Sequence, residues 1–342
     1  MSAEPPRGLA QSSDANAPQL AAAGAGKRPK LWRRLLPLLG LVLLAWVLSR
    51  LDRAALVQAF GRVSLATLLA SFGWFALNLW LKVWRWQRLL LAQGVALSHR
   101  VALAAFLSGQ FYAQVTVGRV GEFVRIEALV ERGMRAGAAL SSCVFDRLLD
   151  VFLVLAAGSV LGAFVLGQLR AALAAGLALL LLAAVGLALL KLLTRSESVG
   201  RSFPQRHLDR ALGALRELAR GMLPMLAPRV LLEALTWTLV AWAGYFAALF
   251  ALADGLHIQV PTSLLIATAS FAALTALLPV TISGLGAREL IYIEVLRAQG
   301  VSHEAAVALS LLHLMVMTAG AIVLGLGGVF WRARQRVSQG RI

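Results

Sequence analysis

The stretches GRVGE at residues 118–122 and GLGARE at residues 284–289 set the architecture of this chain, because they mark equivalent points of a duplicated unit. At an offset of 167 residues their glutamates align, and the match continues as far as Ala139 and Ala306. Each stretch follows one hydrophobic segment and precedes another, so its charged residues lie at or inside a bilayer boundary. Charges are energetically expensive there, and both stretches are therefore where function is to be sought.

The composition indicates an integral membrane protein. Of the 342 residues, 59% are hydrophobic and 14% are charged, whereas a soluble domain is roughly half apolar and a quarter charged. Most of the chain consists of apolar stretches near the roughly 20 residues that a bilayer crossing needs. We therefore expect no separate soluble catalytic domain, and we expect any activity to reside within the membrane.

The net charge of +17 has a membrane explanation. In a soluble protein it would indicate nucleic-acid binding, but here Arg and Lys cluster in loops between apolar segments, as the positive-inside rule describes. We expect no nucleic-acid partner. Attraction to anionic lipid headgroups is expected instead, at about 1 kcal/mol for each basic group near the surface.

Hydropathy predicts an all-α polytopic membrane protein. Its apolar segments are residues 35–49, 63–81, 101–117, 138–166, 171–190, 230–253, 262–280 and 305–330. If all of them cross, the basic loop 191–229 falls outside the cell, against the positive-inside rule. We therefore predict about six full transmembrane helices plus two re-entrant segments, 101–117 and 262–280, which enter from opposite faces. This arrangement makes the duplication an inverted repeat with both termini cytoplasmic.

One transmembrane domain with short tails accounts for the whole chain. The predicted units are a disordered tail at 1–30, the domain at 31–335 with repeat units 101–166 and 262–330, a linker at 191–229 and a basic tail at 336–342. The first tail is rich in Ala, Pro, Ser, Gln and Gly and has no apolar periodicity. Within the linker, apolar residues such as Leu212 and Leu215 recur at helical spacing opposite charged ones, which predicts an amphipathic helix on the cytoplasmic membrane surface.

The two glycine-containing stretches combine features suited to a phosphate group. Glycine permits close backbone approach and positive φ, and a helix that begins after it would aim free N–H groups at an anion. Arg119, Arg125 and Arg288 add forked, charged donors. The alternative is that Glu122 and Glu289 only pair with nearby arginines and stabilise a sharp turn.

A second group of ionisable residues lies near the start of segment 138–166. Asp146 and Asp150 are one turn apart on one helix face, and Arg147 is expected to pair with Asp150. Such residues should face a cavity or the protein interior, where either structural pairing or a functional role fits them. The equivalent place in the second repeat holds His313, for which we consider titration near neutrality and simple hydrogen bonding.

Aromatic and basic residues alternate ahead of the first motif, at the cytoplasmic end of a span. They are Lys82, Trp84, Arg85, Trp86 and Arg88. We favour an interfacial anchor, with headgroup contact as the alternative. The sequence has no clustered metal ligands among its His residues, no Walker A loop and no dinucleotide fingerprint, so no cofactor is expected.

The order and spacing of these motifs carry a family resemblance. The relevant residues are Arg85-Trp86, GRVGE with Arg125, Asp146-Arg147-Leu148-Leu149-Asp150, and Pro279 with Ser283-Gly284-Leu285-Gly286 and Glu289. From about Leu35 to Phe330 the chain resembles the lysylphosphatidylglycerol synthase transmembrane-region family, whose flippase-like domains occur alone or fused to a synthase. It departs from the family pattern at Val117, commonly Pro, and at Asp146, often Glu.

The resemblance implies a lipid translocase of the bacterial inner membrane that moves a phospholipid or a polyprenyl-phosphate-type lipid through a polar cleft between the repeats. The residues expected to bind the lipid or shape the cleft are Arg85, Arg119, Gly121, Glu122, Arg125, Asp146, Arg147, Asp150, Gly284, Gly286, Arg288 and Glu289. The expected partners are lipids with anionic or zwitterionic headgroups, and a homo-oligomer is left open. The alternatives are a membrane-embedded enzyme acting on a lipid phosphate, and a non-catalytic partner of a separately encoded synthase or glycosyltransferase.

Overall fold

The computed structural model describes residues 38–165, 167–195, 206–276 and 284–338, and these ranges contain helices and turns but no β-strand. The helices are α1 (Leu38–Ser49), α2 (Arg53–Arg62), α3 (Leu65–Ala92), α4 (His99–Val115), α5 (Glu127–Val130), α6 (Ala136–Val165), α7 (Leu169–Arg195), α8 (Arg206–Met222), α9 (Pro228–Gly255), α10 (Thr262–Thr275), α11 (Ala287–Arg297) and α12 (His303–Ser338). Short 3₁₀ helices occupy Val117–Ile126 and Leu223–Leu226, and α6 includes a π-helical turn at Ala157–Leu161. The predicted tail at 1–30 lies outside the described residues.

Within the described ranges, five helices are long and apolar enough to cross a bilayer, namely α3, α6, α7, α9 and α12. They correspond to five of the six predicted full spans. The sixth corresponds to α1, whose described part has 12 residues. The predicted all-α polytopic membrane fold is confirmed.

The first motif forms a helical hairpin with α4. After Thr116 the 3₁₀ helix turns back along α4, and a Cβ at Gly109 would lie 2.8 Å from the Glu122 carbonyl oxygen. Gly121 lies against the Tyr112 carbonyl, with no space for a side chain. The 17 residues of α4 span about 25 Å, less than the hydrocarbon thickness of about 30 Å.

The second motif follows the same plan. α10 has 14 residues, which span about 21 Å, and α11 packs against it. Gly284 and Gly286 have φ values of 82° and 83°, in the region that favours glycine. Whether either hairpin enters and leaves on one face of the bilayer stays a prediction.

The two repeats exchange packing partners. α4 packs along α12, where Gly325 meets Phe111, and α10 packs against α6, where Gly158 meets Phe271. Gly158 and Gly325 stand 167 residues apart, the offset that aligns the two motifs. Small residues let membrane helices approach closely. These reciprocal contacts are what an approximate two-fold relation between the halves would require; the inverted repeat itself stays a prediction.

The end of α12 joins the first repeat through a cluster of ion pairs. Arg336 lies 2.7 Å from Glu127 and 2.5 Å from Glu131, and Arg332 lies 3.0 Å from Glu127. Partial burial opposes ionisation of Glu127, but hydrogen bonds and charge from these arginines hold its pKa below the ordinary value. α12 continues to Ser338, so the described part of the tail predicted at 336–342 is helical.

The predicted linker helix occurs as α8, which packs against the start of α6. Gln93, just after α3, holds this region together because its side-chain amide donates hydrogen bonds to the Gly221 carbonyl at 2.8 Å and the Ala138 carbonyl at 3.1 Å. Gly137 and Gly221 permit the close approach of the two helices. The linker is therefore attached to those ends of α3 and α6 that the positive-inside rule predicts to be cytoplasmic.

Candidate functional site

A cavity of about 140 Å³ lies between the two predicted repeat units. Pairs of residues at the 167-residue offset line it from α6 and α12: Arg147 and Leu314, Asp150 and Met317, and Val151 and Thr318. One repeat therefore supplies a charged wall, while the other supplies a mostly apolar wall. α3, α4, the first hairpin, α9, α10 and α11 complete the lining.

Asp146 is the centre of an ion network behind the charged wall. Its Oδ1 accepts from Arg85 Nε at 2.8 Å, and its Oδ2 accepts from Arg125 Nη2 at 2.9 Å. All three residues are at most 1% exposed. The Arg125 guanidinium also lies 5.0 Å from the ring centroid of Trp86, a cation–π distance.

Asp150 connects this buried ion network to the lining of the cavity. One carboxylate oxygen accepts from Arg85 Nη1 at 2.7 Å and Trp242 Nε1 at 2.9 Å, and the other accepts from Lys82 Nζ at 2.9 Å. Asp150 and Lys82 both line the cavity. The negative charge of Asp150 is therefore already matched by two cations.

The interfacial-anchor interpretation is wrong for Lys82, Arg85 and Trp86. Arg85 and Trp86 are fully buried, and Lys82 faces the cavity. The spacing of three residues along α3 puts Lys82 and Arg85 on one face. That face meets Asp146 and Asp150, which are one turn apart on α6, so the cations turn inward to them.

The expected pairing of Arg147 with Asp150 is also wrong. Arg147 Nη1 lies 3.3 Å from Glu122 Oε2, and Arg125 lies 3.9 Å from the other Glu122 oxygen. A step of one residue turns the side chain about 100° around a helix, so Arg147 reaches Glu122, while Asp146 points inward between Arg85 of α3 and Arg125 of the hairpin. The Glu122 carboxylate therefore ties the first hairpin to α6.

Glu289 has a different role from Glu122. It is fully buried, and its carboxylate accepts hydrogen bonds from the Gly286 backbone N–H at 2.6 Å and the Ser310 hydroxyl at 2.8 Å. Among the described residues, no arginine lies within ion-pair distance of it, so the arginine-pairing alternative is wrong for Glu289. At the start of α11 the sequence predicts that free backbone N–H groups bind an anion. In the structure the Glu289 carboxylate takes that place, because it accepts from the Gly286 N–H and so caps its own helix.

Arg119 and Arg288 bring one guanidinium from each motif to the cavity lining. Arg119 Nη2 donates to Gln110 Oε1 at 3.0 Å, and its buried Nε has no partner among the described residues. Arg288 donates to Ser310 Oγ at 3.0 Å and is 2.9 Å from His313 Nδ1. In the described part of the chain, neither guanidinium has a carboxylate within ion-pair distance.

The predicted site residues fall into three groups. Arg119, Arg147, Asp150 and Arg288 line the cavity. Arg85, Glu122, Arg125 and Asp146 form the ion network behind it, and Gly121, Gly284, Gly286 and Glu289 shape the hairpins. That these twelve residues bind or move a lipid stays a prediction.

Sequence reasoning missed Gln110, Gln114 and Tyr245, which also line the cavity. The two glutamines are one helical turn apart within an apolar segment. This spacing puts their amides on one face of α4 and was an available signal. Tyr245 gives no comparable signal, because it stands singly in an aromatic-rich span. Among the described residues, no group of His, Cys, Asp and Glu is arranged to hold a metal ion.

Comparison with known families identifies a matching family model. The family model described as Lysylphosphatidylglycerol synthase TM region matches residues 35–325. The matched range includes both hairpins, the cavity lining and the ion network. No curated protein matches the chain.

Proposed function

Because the chain belongs to the lysylphosphatidylglycerol synthase TM region family, we propose that it is a lipid translocase. It moves a phospholipid or polyprenyl-phosphate-type lipid between the leaflets of a bacterial inner membrane. The headgroup passes through the cavity between the repeats while the acyl chains stay in the bilayer. On this proposal both termini are cytoplasmic, since the basic loops then follow the positive-inside rule.

The observation that carries the proposal is a charged cavity enclosed by apolar helices. A lipid headgroup cannot cross hydrocarbon cheaply, because a buried polar group without partners costs several kcal/mol. Arg119, Arg147, Asp150, Lys82 and Arg288 provide charged partners along the cavity. Side chains of this kind inside a membrane mark a substrate pathway or a structural pairing.

The size of the cavity favours a headgroup over a whole lipid. Its volume is about 140 Å³, whereas pockets that enclose a drug-sized ligand hold about 300–1,000 Å³. Phe75, Leu79, Val154 and Met317 form apolar parts of the lining. A phosphate with its nearest substituents fits this volume, and the acyl chains remain outside.

The pairing of the acids favours translocation over acid–base catalysis. A general base needs a carboxylate that is free to take a proton. Asp150, the acid that lines the cavity, is held by Lys82, Arg85 and Trp242, and Glu122 behind it is paired with Arg147. Because these carboxylates are paired with basic side chains, they are not free to act as a base. We therefore infer that the cavity is a passage for a headgroup rather than a reaction centre.

The test is leaflet exchange in proteoliposomes that contain acyl-labelled fluorescent phosphatidylglycerol. Dithionite quenches the outer leaflet, and continued quenching reports exchange. We expect exchange above that of protein-free vesicles, and slower exchange with Arg147→Gln, which removes the ion pair that ties Glu122 of the hairpin to α6. Arg297→Gln is the control, because Arg297 forms an exposed ion pair with Glu294 at 3.0 Å. Exchange equal to protein-free vesicles would contradict the proposal, and a chemically altered lipid in mass spectrometry would support the enzyme alternative.

A further inference from the structure

We propose that the headgroup carried by this protein is net anionic, and that Arg119 and Arg288, one from each repeat, hold its phosphate. This inference rests on the proposed function and narrows its substrate. It excludes a net-cationic lipid such as lysylphosphatidylglycerol itself. The substrate class is a lipid phosphate without an added amino group.

The first support is the charge balance of the site. Among the described residues that line the cavity, form the buried ion network or cap the start of α11, six are basic and four are acidic. They are Lys82, Arg85, Arg119, Arg125, Arg147 and Arg288 against Glu122, Asp146, Asp150 and Glu289. Buried charges need partners, so this surplus of positive charge calls for an anion.

Arg119 is the first of the two unmatched cations. It lies at the tip of the hairpin with φ of 58°, a left-handed conformation that is strained for arginine. Backbone strain of this kind is often retained where a side chain must be aimed at a ligand. The buried Nε of Arg119 has no partner among the described residues, although Nη2 contacts Gln110. A phosphate oxygen would complete the donor fork.

Arg288 is the second unmatched cation. A guanidinium only donates hydrogen bonds, so its contact at 2.9 Å requires His313 Nδ1 to act as an acceptor. His313 is therefore neutral in this arrangement. Ser310 accepts from Arg288 Nε and is neutral as well. These contacts orient Arg288, which is 5% exposed, without neutralising its charge.

The same geometry disfavours a cationic substituent on the headgroup. Of the described acids, Asp150 is the one that lines the cavity, and it already accepts from Lys82, Arg85 and Trp242. An added ammonium group would therefore find no free carboxylate. It would instead meet like charges, which cost most in a desolvated site.

The decisive experiment compares three lipids on the wild-type protein. Acyl-labelled phosphatidylglycerol, phosphatidylethanolamine and lysylphosphatidylglycerol have headgroups of net charge about −1, 0 and +1 at neutral pH. We expect phosphatidylglycerol to exchange fastest, and at least about tenfold faster than the lysyl lipid, since the added ammonium groups of the lysyl lipid find no free carboxylate and meet like charges. Equal or faster exchange of the lysyl lipid would overturn the inference.

Failure of the proposed function has a different signature. If none of the three lipids exchanges, translocation is contradicted, and native mass spectrometry of the protein in mixed lipid still measures which headgroup stays bound. Preferential retention of the anionic lipid would support the inference in that case, and retention of the lysyl lipid would overturn it. Passage of radiolabelled inorganic phosphate without lipid exchange would show that the anion is a free phosphate, and would overturn the lipid substrate.

Substitutions at Arg119 and Arg288 test whether these two residues cause the preference for an anionic headgroup. Arg119→Asn removes the charge and suits the left-handed backbone, because asparagine tolerates positive φ better than arginine. His257→Asn is its matched control, with φ of 56° in an exposed turn outside the cavity. We expect the first variant to lower the exchange of phosphatidylglycerol about tenfold and the control to leave it unchanged. A wild-type preference ratio in both Arg119→Asn and Arg288→Gln would overturn the assignment.

Discussion

Replacing Asp146 with Asn removes the charge at the centre of the buried ion network while keeping the side-chain shape. The carboxylate accepts from Arg85 at 2.8 Å and from Arg125 at 2.9 Å. Asparagine has one acceptor oxygen, so its amide must face one of the two guanidinium groups, donor against donor. Arg125 then depends on Glu122, whose nearest oxygen is 3.9 Å away.

The expected loss of stability is large. Removing one partner of a buried ion pair costs about 3–5 kcal/mol, because the remaining charge has no compensation. This range applies to Asp146 because the ion pair is buried: Asp146 is 1% exposed and Arg85 is fully buried. Arg85 keeps Asp150 at 2.7 Å, so we expect the lower part of the range.

The assay is SDS titration in mixed micelles, followed by far-ultraviolet circular dichroism. We expect Asp146→Asn to lower the free energy of unfolding by about 3 kcal/mol, and the double variant with Arg125→Met to lose less than the sum of the single losses. A loss below about 1 kcal/mol, in the range of an exposed ion pair, would refute the buried network.

Three further substitutions test the hairpins and the helix contacts. Gly121→Ala places a methyl group against a carbonyl of α4 and should cost about 1–3 kcal/mol in the same titration; an unchanged midpoint would contradict the close approach. Glu289→Gln loses one of two acceptors and should cost about 1–3 kcal/mol without changing the lipid preference ratio in exchange assays; an altered ratio would make Glu289 a binding residue. Gly325→Ala should destabilise the α4–α12 contact, whereas Gly327→Ala, which meets nothing within 4 Å, should stabilise by about 0.5–1 kcal/mol; equal thermal midpoints for these two variants would contradict the packing.

The membrane spans can be predicted from the sequence because bilayer thickness fixes the length of an apolar helix. The motif duplication also indicates the repeat, since the two stretches align at one fixed offset. The second pair of residues at this offset, Gly158 and Gly325, marks the helix contacts of the two units. This pair does not stand out in the sequence, because isolated glycines are common in membrane helices. The contact partners of those glycines, Phe271 and Phe111, lie in the opposite repeat, and no local pattern connects them.

The ion network is the part that sequence alone could not supply. Arg85 and Asp146 are 61 positions apart, and their pairing depends on how α3 and α6 face each other. Local rules instead favour an i,i+3 partner for Arg147, whose actual partner is Glu122 from the hairpin. Helical spacing gives the face of a charged residue, and the neighbouring helix determines its partner.

The proposed transport requires that the phosphate of the lipid headgroup binds in the cavity between the repeats. This binding can be observed in an electron cryomicroscopy map of the protein in nanodiscs made of phosphatidylglycerol. We predict density for a phosphate within hydrogen-bond distance, about 3 Å, of both Arg119 and Arg288, with acyl chains leading out to the bilayer. Ordered lipid elsewhere, with both guanidinium groups facing water and no headgroup density between them, would contradict this binding site.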